Sequence, residues 1–189
     1  MNTSIFSIDG GGWIIEADKV SSPNCDERPD GDEIDLLVVH GISLPAGKFG
    51  TPYIDQLFTN QLDTTEVQEL EALKDLRVSA HLLIHRDGRL VQYVPLSKRA
   101  WHAGVSSFRG RERCNDFSIG VELEGSDYIA YTDIQYNRLA SLIAAIKREY
   151  PQIVKDRIVG HSDIAPGRKS DPGPAFEWER LFEKMETKL

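Results

Sequence analysis

Apolar and polar positions recur along this chain with two different periods, and the switches between them mark out the elements. Asp35-Leu36-Leu37-Val38-Val39 is a short apolar run that predicts a buried strand ending at His40. Ser118 to Glu124 alternates: Ile119, Val121 and Leu123 share one face, while Gly120, Glu122 and Glu124 share the other. A strand of period two buries the first set and aims Glu122 at the opposite face. The runs His81–Arg86 and Arg89–Val94 flank Asp87-Gly88, a pattern that predicts a β-hairpin closed by a type I′ turn. Ile158-Val159 predicts one more short strand, delivering Gly160-His161 at its end.

Helical spacing fills the intervals. Thr64 to Leu76 carries Val67, Leu70 and Leu73 at threefold spacing and predicts a helix. Thr132 with Gln135 forms a capping box, and Leu139, Leu142, Ile143 and Ile146 make an apolar stripe on a helix that must end before Pro151. Trp178, Leu181, Phe182 and Met185 predict a closing amphipathic helix. The polar, turn-rich stretch Asp26–Glu33 is expected to be a surface loop. Strands interspersed with helices imply an α/β fold, a mixed central sheet flanked by helices. With 189 residues and no repeat or low-complexity linker, one domain is expected over residues 1–189.

Composition narrows the function classes. Apolar residues make up 40% and charged residues 28%, an ordinary globular mixture. The net charge of −8 argues against a nucleic-acid or anionic-membrane partner, yet leaves room for a small anionic substrate met by local arginines. Residues Met1–Val20 have no basic n-region, and their longest apolar run is Trp13-Ile14-Ile15, too short for an export signal. No stretch approaches the ~18 apolar residues of a membrane span. Cys25 and Cys114 lie in unrelated contexts, as thiols in a reducing compartment do. The expectation is a cytoplasmic protein with no membrane association and no evident obligate protein partner.

Three side chains are candidate metal ligands. His40 and His161 follow buried strands, and Asp171 lies in the Pro- and Gly-rich stretch Ser170–Pro174. Two imidazoles and a carboxylate form a ligand set used by catalytic zinc, with a fourth position left for water. A histidine at a strand end also serves as a plain structural residue, and no compact metal motif decides between the two here.

Five blocks carry a wider resemblance: Leu36–Leu44 (LLVVHGISL), Val78–Ile84 (VSAHLLI), Arg99–Ser106 (RAWHAGVS), Gly110–Gly125 (GRERCNDFSIGVELEG) and Gly160–Phe176 (GHSDIAPGRKSDPGPAF). In this order they closely resemble the AmpD-type anhydro-muramyl-L-alanine amidases, part of a zinc amidase group that includes phage lysozymes and peptidoglycan recognition proteins. The resemblance implies a Zn2+ site made by His40, His161 and Asp171, with Glu122 and Lys169 as catalytic partners. It implies a soluble muropeptide as the small-molecule substrate, cleaved between muramic acid and L-alanine during peptidoglycan recycling, and with it a lowering of the muropeptide signals that induce β-lactamase. Relatives suggest Arg77 and Arg113 as partners for stem-peptide carboxylates, which guanidinium groups bind as a fork. Trp101 and His102 are candidate substrate contacts, Trp101 against a sugar face.

Structural alternatives stand beside these roles. Glu122 and Glu124 fit a solvated strand face, Lys169 a surface basic pair with Arg168, Trp101 a core position, and the Arg109–Arg113 run a solvated loop. His81 reads as a hydrogen-bonded core residue. Two departures from the family pattern stand out: Gly41 replaces the usual Asn, and Ala80 replaces the Tyr of phage-type members. Asp63–Asp75 diverges from the branch. A non-catalytic peptidoglycan binder and an amidase of the polymeric wall are the rival functions. A pure binder has no need of Asp171 with Lys169, and a wall enzyme needs export.

Overall fold

The computed structural model describes residues 6–65 and 67–187. The chain forms strands β1 (Asp18–Lys19), β2 (Cys25–Asp26), β3 (Leu36–Ile42), β4 (Leu82–Ile84), β5 (Leu90–Gln92), β6 (Arg99–Ala100), β7 (Ser107–Phe108), β8 (Arg111–Glu112), β9 (Ser118–Glu124) and β10 (Ile158–Gly160). Its helices are α1 (Tyr53–Phe58), α2 (Asp133–Glu149), α3 (His161–Ile164) and α4 (Trp178–Glu186). Among the described residues the central sheet runs in the order β1-β5-β4-β9-β3-β10. Four neighbouring strands of it, β4, β9, β3 and β10, are mutually parallel, and β5 returns antiparallel to β4. This is the α/β architecture expected, a mixed sheet with helices on its faces.

Alternation along β3 and β9 builds two different faces. Leu37, Val39, Ile119, Val121 and Leu123 point into the largest core cluster, where Leu139, Leu142, Ile143 and Ile146 of α2 and Leu181 of α4 close over them. Each such aliphatic side chain contributes about 1.5–3 kcal/mol on burial. The capping box at Thr132 and Gln135 starts α2 as expected, and α2 ends at Glu149, two residues ahead of Pro151. On the other face, Leu83, Val91 and Tyr93 pack against Ile54, Leu57 and Phe58 of α1. Leu36 and Val38 meet Ala103, Cys114, Phe117 and Ile164. His40 and Glu122 belong to these latter parities of β3 and β9, on the side away from α2.

Local details depart from expectation in three places. The segment around Val67, Leu70 and Leu73 is a 3-10 helix over Gln68–Leu73, not a longer α-helix; strict threefold spacing matches three residues per turn and leaves no i+4 partner for an α stripe. Glu66, inside the stretch expected to be helical, lies outside the described residues. The hairpin between β4 and β5 closes with three loop residues, Arg86-Asp87-Gly88, and only Gly88 has positive φ (85°). A type I′ turn needs positive φ at both central residues, so a tight turn followed by a left-handed glycine takes its place. Strand β3 also continues past His40 to Ile42, because β9 pairs with it residue for residue through Ile42↔Glu124. No helix among the described residues is long and apolar enough to cross a membrane.

Candidate metal centre and active site

Parallel register brings the chemistry together. His40 on β3 pairs directly with Glu122 on β9, while Val39 pairs with Gly160 on β10, so His161 emerges beside His40 where β10 turns into α3. The loop after α3 returns to the same place: the Ser162 N–H donates to the Asp171 carbonyl at 3.0 Å, holding Asp171 over the strand ends. Ligands of open parallel sheets gather at the carboxyl ends of strands for this topological reason.

The three side-chain atoms form a small triangle. His40 Nδ1 and His161 Nδ1 are 3.0 Å apart, and each lies 3.1 Å from Asp171 Oδ2. His40 and His161 are 1% and 3% exposed. The far nitrogen of His161, Nε2, lies 3.1 Å from the Ala103 carbonyl oxygen, which only accepts. That nitrogen therefore carries the proton, and His161 Nδ1 offers a lone pair toward a carboxylate that also offers lone pairs. A shared cation reconciles such a set. Tetrahedral coordination with bonds of about 2.0–2.2 Å spaces neighbouring ligand atoms by roughly 3.3 Å, close to the observed edges. The donor set therefore fits a metal ion. Burial and the positive neighbours push the His40 pKa down to about 4, although the Asp171 hydrogen bond works against that shift. Burial tends to raise the Asp171 carboxyl, but His161 and His40 outweigh it and hold it well below the usual carboxylate range.

Glu122 is the second component. It is 8% exposed, and its Oε2 is a buried oxygen with no hydrogen-bond partner among the described residues. Burial, reinforced by the Asp171 charge, raises its pKa well above the ordinary glutamate value; Lys169 counteracts part of this. Lys169 itself is exposed, on the loop between α3 and Asp171, and its charge also acts on His40. The solvated strand face considered for Glu122 and Glu124 is thus not what the fold builds: every residue of β9 is buried.

The remaining candidates lie around this centre at different depths. His102 has its ring between His40 and Ser118, at 2.9 and 3.1 Å. Trp101 is half-buried and donates its Nε1–H to Asp26 at 3.2 Å. Arg113, in a left-handed conformation (φ 60°), pairs with Asp116 at 3.0 Å but keeps its side chain 69% exposed. It lines a groove of ≈ 540 Å³ with Gly104, Val105, Ile164, Pro166 and Arg168. Arg77 is exposed and donates to the Lys74 and Leu76 carbonyls of its own segment, far along the sequence from that groove. Arg109 and Arg111 are tied to Asp156 and to Asp32 with Asp35. At Gly41 the place of a side chain is taken by the Tyr131 hydroxyl, which donates to the Pro172 carbonyl at 2.9 Å. His81 is a buried, hydrogen-bonded core residue as expected, and both cysteines are free thiols.

One contributor had no readable signal. Arg28, in the stretch expected to be a surface loop, is mostly buried and donates to the carbonyls of Leu96, Ser97, Asn115, Asp116 and Ser118. Burial lowers its pKa to about 10. It ties the segment before β6 to the turn before β9 and to the first residue of that strand, and only the assembled fold reveals those acceptors.

An imidazole–imidazole–carboxylate triangle beside a buried carboxyl, at the carboxyl edge of a parallel sheet, is the layout of a metal-assisted hydrolase. Comparison with known proteins specifies which. Residues 30–174 match the family described as N-acetylmuramoyl-L-alanine amidase. The 1,6-anhydro-N-acetylmuramyl-L-alanine amidase AmpD of Escherichia coli K12 is 59% identical over 170 residues, covering 90% of this chain and 92% of that protein. A crystal structure of a selenomethionine AmpD derivative superposes with a TM-score of 0.91 at 56% identity, covering 94% of this chain and 98% of that one. The E. coli amidase AmiD, in complex with anhydro-N-acetylmuramic acid-L-Ala-D-γ-Glu-L-Lys, aligns with a TM-score of 0.59 at 28% identity over 95% of this chain and 65% of that one. The chain belongs to the N-acetylmuramoyl-L-alanine amidase family, in its AmpD-type branch, and is an amidase.

Proposed function

We propose that this amidase is zinc-dependent and cleaves the amide between the lactyl group of 1,6-anhydro-N-acetylmuramic acid and L-alanine in soluble muropeptides, in the cytoplasm. The observation that carries this reading is the buried Glu122 Oε2, without a hydrogen-bond partner among the described residues, beside the His40–His161–Asp171 triangle. The AmpD names of the relatives and the muropeptide in the AmiD complex support the substrate class.

When bound by His40, His161 and Asp171, zinc supplies Lewis acidity that polarises the scissile carbonyl and acidifies the attacking water. Glu122 accepts that water's proton at Oε2, and its raised pKa lets it keep the proton long enough to deliver it to the departing amine. The Lys169 ammonium stabilises negative charge developing on the carbonyl oxygen. Arg113, exposed at the groove, and Arg77 serve as far anchors for stem-peptide carboxylates, and Trp101 offers its ring to the sugar.

The test is incubation of the purified protein with anhydro-muramyl tripeptide, with and without zinc, following peptide release by mass spectrometry. Zinc-dependent release of intact tripeptide is expected. Equal release from the chelator-stripped protein, or cleavage at another bond, would overturn the reading.

A further inference from the structure

The ring of His102 is wedged between a ligand of the metal site and a buried serine, and its contacts run in one direction only. His102 Nδ1 is 2.9 Å from His40 Nε2, and His102 Nε2 is 3.1 Å from Ser118 Oγ. The Ser118 hydroxyl donates to the Cys114 carbonyl. A backbone carbonyl only accepts, so the single hydroxyl proton of Ser118 is committed to Cys114. Ser118 Oγ must then accept from His102 Nε2–H. With its proton on Nε2, a neutral His102 presents a lone pair at Nδ1, and His40 Nε2 must donate to it. His40 Nδ1 is left unprotonated, and that is the atom facing His161 Nδ1 and Asp171 Oδ2. The reverse proton order would leave the Ser118 and Cys114 oxygens facing each other at 2.5 Å with no proton between them, since the Cys114 carbonyl's other donor is the Phe117 N–H at 3.3 Å.

The surroundings are shaped to keep this ring in place. A Cβ at Gly120 would stand 2.5 Å from His102 Cγ, so β9 carries a glycine where the imidazole lies against it. Asn115 Oδ1 accepts from the backbone N–H groups of His102 and Ala103, at 3.1 and 2.7 Å. The Ala103 carbonyl in turn takes the Nε2–H of His161. Two consecutive residues, clamped by one asparagine, thus face the outer nitrogens of both histidines of the triangle.

We propose that His102 is a positioning residue for the metal centre: the relay from the Cys114 carbonyl through Ser118 and His102 holds His40 in the Nε2–H tautomer that presents Nδ1 to zinc. The proposal rests on the zinc reading above, and it gives His102 this role in place of the direct substrate contact expected from the sequence, since both ring nitrogens are engaged within the protein. Metal-bound histidines commonly donate their second N–H to a carboxylate, carbonyl or water; here the acceptor is another imidazole.

Zinc affinity, measured by competition with a chromophoric chelator on the full chain, reads the relay without relying on turnover. His102→Phe keeps a ring but removes the acceptor, and it should weaken zinc binding by about 10–100-fold. His102→Asn, whose Oδ1 can accept near the former Nδ1 position, should recover a large part of that loss. If both variants bind zinc as tightly as the unmodified chain while KM rises, His102 is a substrate contact and the proposal is overturned. If the unmodified chain itself binds no zinc, the parent reading fails and this one with it, an outcome distinct from a defect confined to the variants. Should His102→Phe not fold, long-range 15N–1H correlations on the zinc-loaded, unmodified protein decide. Protons on Nε2 of both His40 and His102 support the relay, and a proton on His102 Nδ1 overturns it.

Discussion

Glu122 and Glu124 stand two residues apart on β9, share one face of the sheet and are both buried, yet their carboxyl groups meet opposite surroundings. Glu124 accepts from the Gly50 N–H at 2.5 Å, the Arg86 N–H at 3.1 Å and His85 Nδ1 at 3.3 Å. Burial works to raise its pKa, but those three donors prevail and hold it down to about 2. Glu122 has none of them at Oε2, so burial and the Asp171 charge raise its pKa instead. One carboxyl is thereby a fixed anion that ties the β4–β5 hairpin and the Gly50 loop to the sheet. The other stands beside the His40–His161–Asp171 triangle with its pKa raised and its Oε2 without a partner among the described residues. Burial alone does not make a proton carrier; the number of donors arriving from other segments decides it.

The comparison can be broken most severely at the triangle. Asp171→Ala, like His40→Ala or His161→Ala, should lose zinc and activity together, because three protein ligands are needed to leave a defined open position. Full zinc in any of the three by elemental analysis would remove that residue from the site. Next in size is the contrast between the two glutamates. Glu122→Gln should keep zinc and fold while kcat falls by ~10²–10⁴. Glu124→Gln should leave the chemical step largely intact but cost about 1–3 kcal/mol of stability, since an amide N–H₂ would face existing donors. Denaturant unfolding beside steady-state kinetics checks both, and interchanged phenotypes would reverse the two roles.

Lys169→Met tests whether the exposed ammonium serves the transition state: kcat should fall by ~10²–10³ with zinc content unchanged. Near-normal turnover would return Lys169 to the surface pair it forms in sequence with Arg168. Arg113→Ala should lower kcat/KM for a tripeptide substrate by about tenfold, and less for a substrate trimmed to L-alanine. An effect blind to peptide length would rule out its role as far anchor.

The smallest test is acid stability of the metal-free protein. His81 is buried neutral, with its pKa lowered to about 3 by burial and by Arg28. Below its unfolded pKa of 6.5 the unfolded chain takes up a proton that the folded chain refuses, so stability falls as pH falls from 6.5 towards 3, by up to about 1.4 kcal/mol per pH unit. Glu124 adds to the loss only lower down: its contribution is complete above 4.5 and disappears as pH falls towards 2. Glu122 acts with the opposite sign, disfavouring the fold as pH rises above 4.5. With Glu122 changed to Gln, denaturant unfolding at pH 7, 5.5, 4 and 3 should show declining stability at each step, and adding Glu124→Gln should flatten only the segment below 4.5. In that Glu122→Gln background, where the opposing contribution is gone, a flat profile from pH 7 to 4 would contradict the neutral burial of His81 and of His40 and His102, whose pKa values burial also lowers.

Local periodicity carried what is local in this protein. The period of two in Ser118–Glu124 was enough to separate Glu122 from Ile119, Val121 and Leu123, because side chains alternate on any strand wherever it packs. The Thr132–Gln135 box and the stripe to Ile146 located α2 for the same reason, and the five blocks that resemble the amidases pointed to His40, His161 and Asp171 before any geometry was known. The turn at Asp87-Gly88 and the short 3-10 helix near Leu70 depart from the forms their patterns predict, because there a few residues choose between conformations of similar energy. What only the tertiary structure decided is which donors and acceptors meet. Arg28 reaches five carbonyls up to 90 residues away, and Glu124 finds donors on the hairpin and at Gly50. His102 lies between His40 and Ser118 because Gly120 leaves room for its ring. Such contacts join segments that no local spacing relates. The electrostatics of the candidate site depend on them, so its residues could be proposed from the sequence while their surroundings had to wait for the fold.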